Sequence, residues 1–284
     1  RFLILAREAG AQAEGLRRVL EPLGRVEVVV DRECGLGGDV GTGCPDDGLG
    51  QVVPATVWVP DEKMEGFEGL MGDDNLPPIT SWTRALAHLE NSLEADEFVW
   101  FVEDDVAGDA ESFACLVASA AKSGADLSAM DLRTRSEEES WHWWYLADGW
   151  FDEPCKAFQP LCRLSGRLIR EVLRFRKERG GFLFHEVLFA SIARRDGMKL
   201  LDWREDPECG PCFSTFVFRP EVLRVERGIA HPVKNVVLHE AICAMQATGF
   251  SRMRRAKLDG WSILADDYVF LGKLCRMFGI RKVV

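Results

Sequence analysis

The apolar positions of this chain change period several times. Phe2 to Leu5 form a short continuous apolar run, which reads as a strand. From Ala11 to Leu23 the apolar residues Leu16, Val19, Leu20 and Leu23 recur at helical spacing. Val26 to Val30 is β-branched and predicts a buried strand that ends at Asp31. The opening is therefore strand–helix–strand, the signature of a parallel sheet. A further strand is predicted within Val52 to Val59, and a helix over Ser81 to Leu93, capped by Thr80 or Ser81. Phe98 to Val102 is apolar throughout, as a central strand covered on both faces would be. A helix over Asp109 to Ser123, stopped by Gly124, and a strand over Asp126 to Leu132 follow.

Beyond residue 135 the pattern changes. The charged run Arg135 to Ser140 precedes an aromatic cluster from Trp141 to Phe151. A strand over Lys156 to Leu161 comes next, then a helix from Ser165 to about Lys177 and a Gly180-Gly181 break. A second helix is predicted from His185 to Arg195, and a strand over Met198 to Trp203. No internal repeat is visible. The simplest organisation is one interwoven α/β domain over 1–284, with a nucleotide-binding half near 1–135 and an acceptor half near 136–284.

Composition narrows the function classes. Across 284 residues, 46 acidic side chains against 35 basic ones give a net charge of -11, with no run of Lys or Arg. A nucleic-acid backbone is not the expected partner. The apolar runs fall short of a membrane span, so no span is predicted in this chain. The chain begins at Arg1 rather than Met, so the expected location is the cytoplasm, or the Golgi lumen if an anchor has been trimmed. Nine cysteines, an odd number, do not suggest a disulfide framework. The Gly-, Cys- and Asp-rich stretch 33–50 fits neither a Walker nor a Rossmann fingerprint and reads as a loop.

The strongest chemical signal is Glu103-Asp104-Asp105, directly after the apolar run Phe98 to Val102. Ligands of open α/β sheets bind at the carboxyl ends of strands. Three adjacent carboxylates repel one another unless a cation or hydrogen-bond donors compensate. A hard divalent ion takes oxygen ligands and bridges carboxylates to phosphates. A solvated acidic turn is the bland alternative.

The stretch from Ser81 to Val106, SWTRALAHLENSLEADEFVWFVEDDV, resembles GT-A glycosyltransferases where a nucleotide-contacting helix leads to an Asp-x-Asp-type metal motif. It is similar to the xylosyltransferase-like enzymes of algae and large algal viruses. The first triplet position is Glu rather than Asp. The resemblance implies a GT-A (Rossmann-like) fold, with a mixed, mostly parallel sheet flanked by helices. It implies a Mn²⁺ or Mg²⁺ cofactor, a nucleotide-sugar donor (a UDP-sugar, with UDP-xylose a candidate) and a glycan or glycoconjugate acceptor. By the same likeness Asp105 is the direct metal ligand, and Glu103 and Asp104 contact ribose or metal-bound water. Ala6, Arg7 and Asp31 border the base and ribose, and Trp82 and Arg84 line the same pocket, although a Trp on a helix more often serves the core. His231, in His-Pro-Val-Lys, completes the metal shell, with Lys234 placed to meet the diphosphate.

Glu186 opens a predicted helix, where the dipole stabilises a carboxylate. Inverting transfer needs a general base, and Glu186 matches where GT-A inverting enzymes place one. A helix-capping acid is the structural alternative, and under a retaining mechanism Glu186 would only bind acceptor. Asp148 and Asp152 are competing acids. Of the aromatic cluster, one or two rings are expected to face an acceptor sugar and the rest to plug the core. Cys209-Gly210-Pro211-Cys212 spells a thioredoxin-type motif, but Asp206 and Glu208 precede it and FSTFVF, which reads as strand, follows. It is expected to be a turn, or a local disulfide on oxidation. The resulting expectation is an inverting metal-dependent glycosyltransferase. The alternatives are a non-catalytic carbohydrate- or nucleotide-binding protein on the same fold and a thiol oxidoreductase. Asp266-Asp267 reads as a solvated turn.

Overall fold

The computed structural model describes residues 1–31, 56–70, 79–213, 215–216 and 228–244. The loop expected at 33–50 and the acids Asp266 and Asp267 lie outside these residues.

Strands β1 (Phe2–Ala6), β2 (Val26–Val30), β3 (Thr56–Val57) and β4 (Phe98–Glu103) form the parallel part of a seven-stranded sheet. Its other strands are β6 (Leu127–Thr134), β7 (Cys155–Ser165) and β8 (Leu200–Asp202), and the order is β3-β2-β1-β4-β7-β6-β8. Among the described strands of this sheet only β7 runs against the others: it is antiparallel to β4 and β6, while β6 and β8 are parallel. The sheet thus joins strands from both expected halves of the chain, with β7 wedged between β4 and β6.

Both faces of the central strands are covered, which explains their unbroken apolar runs. Leu3, Leu5, Val99 and Phe101 point into one core with helices α2 (Ser81–Ser92), α4 (Gly166–Arg179) and α5 (His185–Arg195). The alternate residues Phe2, Ile4, Trp100 and Val102 enter the other core with α1 (Ala11–Leu20), α3 (Ala110–Ser123) and α6 (Val236–Cys243). Four of these helices, α2, α3, α4 and α6, begin at polar caps that accept backbone N–H bonds: Thr80 from Thr83, Asp109 from Ser112, Ser165 from Leu168 and Asn235 from Leu238. Gly124 and Gly180 end α3 and α4 at φ 59° and 81°, a backbone that a Cβ disfavours. The helix expected over Ala11 to Leu23 is α-helical only to Leu20, and a 3-10 turn with Pro22 near its start covers Glu21–Leu23.

A second, three-stranded sheet sits beside the carboxyl edge of the first. In it β10 (Ile229–His231) lies between β5 (Ala107–Gly108) and β9 (Thr215–Phe216). The strand expected over Phe213 to Phe218 is limited to β9 among the described residues, and Phe213 closes a 3-10 turn instead. Among the described residues no helix is long and apolar enough to cross a membrane.

Candidate metal and sugar site

The chain turns outward from β1 to β2 to β3, and then returns to place β4 on the other side of β1. This reversal opens a crevice at the carboxyl ends of β1 and β4, the place where open α/β sheets take ligands. Leu5 is paired with Glu103 across the two strands, and the Asp104 N–H donates to the Leu5 carbonyl at 3.0 Å. The triplet is therefore held at the crevice by the sheet itself.

The second sheet brings His231 to the same spot. β10 pairs with β5, which begins two residues beyond the triplet, and the Val233 N–H donates to the Asp105 carbonyl at 2.8 Å. His231 Nε2 lies 3.4 Å from Asp105 Oδ1 and 3.7 Å from Glu103 Oε2. One donor atom from each of Glu103, Asp105 and His231 falls within 4.8 Å of the others, so the cluster could hold a metal ion. Carboxylate oxygen and imidazole nitrogen suit a divalent cation. The imidazole is buried and packed against Phe158 and Phe216, with ring centroids 5.5 and 5.3 Å away.

The charges are poorly compensated. Burial and then the neighbouring Asp105 raise the Glu103 carboxyl above its ordinary range. Burial, Asp105 and Glu103 push Asp104 up to about 7. At Asp105 burial acts in the same direction but is outweighed by His231 and Lys234, and this carboxyl falls below its ordinary value. Asp105 Oδ2 accepts from Lys234 Nζ at 3.0 Å, and its buried Oδ1 faces only His231 Nε2, at 3.4 Å.

The other expected contacts divide. Trp82 belongs to the core: its ring stacks on Phe101 at 5.3 Å and on His185 at 4.0 Å. Its indole N–H donates to Glu103 Oε1 at 3.0 Å, so Trp82 orients a carboxylate. Arg84 is buried, bonded to the Val59 carbonyl and ion-paired with Asp61. Ala6 is buried at the end of β1 and its carbonyl accepts from the Asp31 N–H at 3.1 Å, while Arg7 is exposed. Asp31 is half-buried beside them. Lys234, expected at a diphosphate, sits on Asp105.

Next to the cluster lies a cavity of about 250 Å³. Phe158 joins the two, because it lines the cavity and packs on His231. Glu186 forms part of the floor. The helix dipole was expected to keep this carboxylate ionised, and that expectation is corrected. Burial, followed by the charge on Glu103, pushes Glu186 up to about 8 despite a hydrogen bond from the Gln159 backbone N–H. A dipole supplies roughly 0.3–1 kcal/mol, less than desolvation removes. His185, which opens α5, is pushed down to about 3 by burial, so the ring stacked on Trp82 is neutral.

Of the aromatic cluster, Trp141 and Trp143 border the cavity. Trp144 is buried and donates its indole N–H to the Glu138 carbonyl at 2.7 Å; Trp150 and Phe151 pack on Phe175. Asp148 is exposed and ion-paired with Arg135, and Asp152 is exposed; neither borders the cavity. Four polar residues that border it, Asp131, His142, Lys156 and Arg204, were not singled out from sequence. An acid in the apolar stretch Ala129 to Leu132 was the available signal for the first.

Cys209 is buried, and burial first, with Asp206 adding, pushes its thiol up to about 12. Cys212 follows it in a 3-10 turn, where its N–H donates to the Cys209 carbonyl at 2.8 Å. The turn packs behind β10, with the Cys212 carbonyl against Gly228 at φ 111°. No protein-family model matches this chain, and no curated protein matches it.

Proposed function

We propose that this protein is a metal-dependent glycosyltransferase of the GT-A type. It moves a sugar from a nucleotide-sugar donor, with UDP-sugars the leading class, to a hydroxyl of a glycan acceptor with inversion at the anomeric carbon. The observation that carries this reading is the meeting of Glu103, Asp105 and His231 at the crevice between β1 and β4, beside a cavity that contains Glu186.

Glu103, Asp105 and His231 would hold the cation, Mn²⁺ or Mg²⁺. Bound there, it would supply positive charge next to a departing diphosphate. The raised carboxyls of Glu103 and Asp104 fit this assignment. Asp104, Ala6, Asp31 and Arg7 border the same edge and are the candidate ribose and base contacts. Lys234 would turn from Asp105 to the diphosphate, a move its exposed side chain permits.

Glu186 is the proposed general base. Its carboxylate takes the proton of the acceptor hydroxyl as that oxygen bonds to the anomeric carbon, and the bond from this carbon to the diphosphate breaks. A proton affinity near working pH suits the task. Trp141 and Trp143 would flank the acceptor ring.

The Lys234–Asp105 ion pair favours a second reading, a binding module in which the lysine takes the place of the cation. A panel of nucleotide sugars with and without Mn²⁺ separates the two. The transferase should show a metal-dependent rise in Tm with a subset of donors, and release of nucleotide diphosphate from them. Stabilisation without turnover on any acceptor would leave the module, and neither effect would end both readings.

A further inference from the structure

Strand β6 is interrupted where it passes the cavity. Its register against β7 shifts between Ser128 and Met130 and again between Met130 and Arg133. At the centre of this double bulge Asp131 has φ 57°, the one positive-φ non-glycine residue among the described residues. Side chains other than Gly, Asn and Asp seldom accept that backbone, and such positions gather at functional sites.

The distortion is held from outside. Buried Asp202, at the end of β8, accepts the backbone N–H of Asp131 at 3.2 Å and of Leu132 at 2.9 Å. A buried acid thus fixes the peptides that present half-buried Asp131 at the cavity wall. Asp131 Oδ2 accepts from Lys156 Nζ at 2.7 Å, and its Oδ1 accepts from Arg204 at 3.0 Å. Lys156 is 5% exposed and also meets Glu138 at 2.9 Å.

We infer that Asp131 is the specificity-determining residue of a subsite for one uncharged pyranose ring, an inference that rests on the transferase reading. Lys156 and Arg204, which line the cavity together with His142, already sit on carboxylates, so an anionic sugar finds no unopposed positive charge at these two side chains and meets Asp131. Neighbouring ring hydroxyls suit the arrangement, because each donates to a carboxylate oxygen while accepting from the ammonium or guanidinium beside it. Trp141 and Trp143 supply apolar walls for the C–H face of the ring. A volume of about 250 Å³ lies below the range of drug-sized pockets and fits a single sugar unit rather than a chain.

The test is a titration of tryptophan fluorescence with methyl β-xyloside, methyl β-glucoside and glucuronate, run with Mn²⁺ and UDP and without them. Wild-type protein should bind a neutral glycoside at least about tenfold tighter than glucuronate, the effect of one charge-assisted hydrogen bond against one repulsion. Asp131→Asn, which tolerates the left-handed backbone, should weaken the neutral glycoside about tenfold and narrow its lead over glucuronate. Asp131→Gly, which adopts that backbone freely, should weaken it as much while near-ultraviolet circular dichroism stays native. Unchanged affinity in both variants, a preference for glucuronate, or no glycoside binding to the wild type overturns the inference. Hydrolysis of UDP-sugar by the wild type is measured alongside. Glycoside binding without hydrolysis sinks the transferase reading alone, and hydrolysis without glycoside binding sinks the subsite alone.

Discussion

Two groups of carboxylates lie on either side of Phe158, and they are balanced differently. Asp131 has Lys156 and Arg204 on its two oxygens, and although burial opposes them these cations hold its carboxyl below the ordinary range. Glu103, Asp104 and Asp105 share Lys234 and His231, and two of the three carboxyls are raised, Asp104 to about 7. The first group is complete within the chain. The second is short of positive charge, and a divalent cation is the simplest group that would balance it. One side of Phe158 is thus suited to a neutral ligand and the other to a cation with its anionic partner.

The largest expected effect comes from removing charge on the deficient side. Asp105→Asn should abolish the rise in Tm on adding Mn²⁺ and lower kcat by about 100-fold or more, because transition-state charge stabilisation by a metal is worth several kcal/mol. Without metal the same variant should lose only a little stability: the attraction of His231 and Lys234, which holds the Asp105 carboxyl below its ordinary value, goes, the exposed Lys234 pair being worth under about 1 kcal/mol, but so does the repulsion on Glu103 and Asp104. Calorimetry with Mn²⁺ and with EDTA reads both arms. A large loss of stability in EDTA would mean that the chain itself balances the cluster, and the contrast with Asp131 would fail.

Glu186 stands between the groups and feels the deficient one through Glu103. Glu186→Gln should lower kcat by about 10² to 10⁴, the usual value of a positioned base. As a base with a carboxyl near 8, wild-type Glu186 should give activity that rises with pH until about that value and then levels. The stability consequence has the opposite slope. The folded carboxyl holds its proton more tightly than the unfolded one, whose ordinary value is 4.5, so stability is lost as pH climbs from there through about 8. Glu186→Gln should remove this loss and gain roughly 2–4 °C at pH 8.5 per kcal/mol recovered. A variant with unchanged kcat and a flattened stability curve would make Glu186 a buried acid and not a base.

These two groups were not equally legible in the chain. The triplet announced itself because it ends an apolar strand, Phe98 to Val102, and strand ends are where parallel sheets bind. Helices α4 and α5 and the Thr80 cap were readable for a similar reason: their signals are local. The reversal of β7 was not, because it depends on which strand lies beside which. Asp131 was hidden by the same kind of gap. Its place at the cavity arises from a bulge fixed by Asp202, 71 positions away, and from cations at 156 and 204. The rise at Glu186 is not legible in the chain, since the dipole is local and visible, whereas burial is set by the whole fold.

The smallest expected effect comes from the one motif that offers chemistry outside both carboxylate groups. A redox pair of the thioredoxin kind needs a thiol of lowered pKa, and Cys209 has the reverse, pushed up to about 12 in a buried turn. The packing of that turn on Gly228 gives it another task, backing the strand that carries His231. Cys212→Ser, at a half-buried position, should therefore leave sugar transfer within about twofold and stability within ±0.5 kcal/mol or so. Cys209→Ala deletes a buried sulfur and should cost about 1 kcal/mol, read as a small drop in Tm, again with little change in kcat. The double variant is the informative one. If it keeps metal-dependent transfer, the chemistry resides with the carboxylates on either side of Phe158. A hundredfold loss with native circular dichroism and an unchanged Mn²⁺ shift would move it to the thiols, because a packing defect behind β10 would disturb His231 and weaken the metal response first.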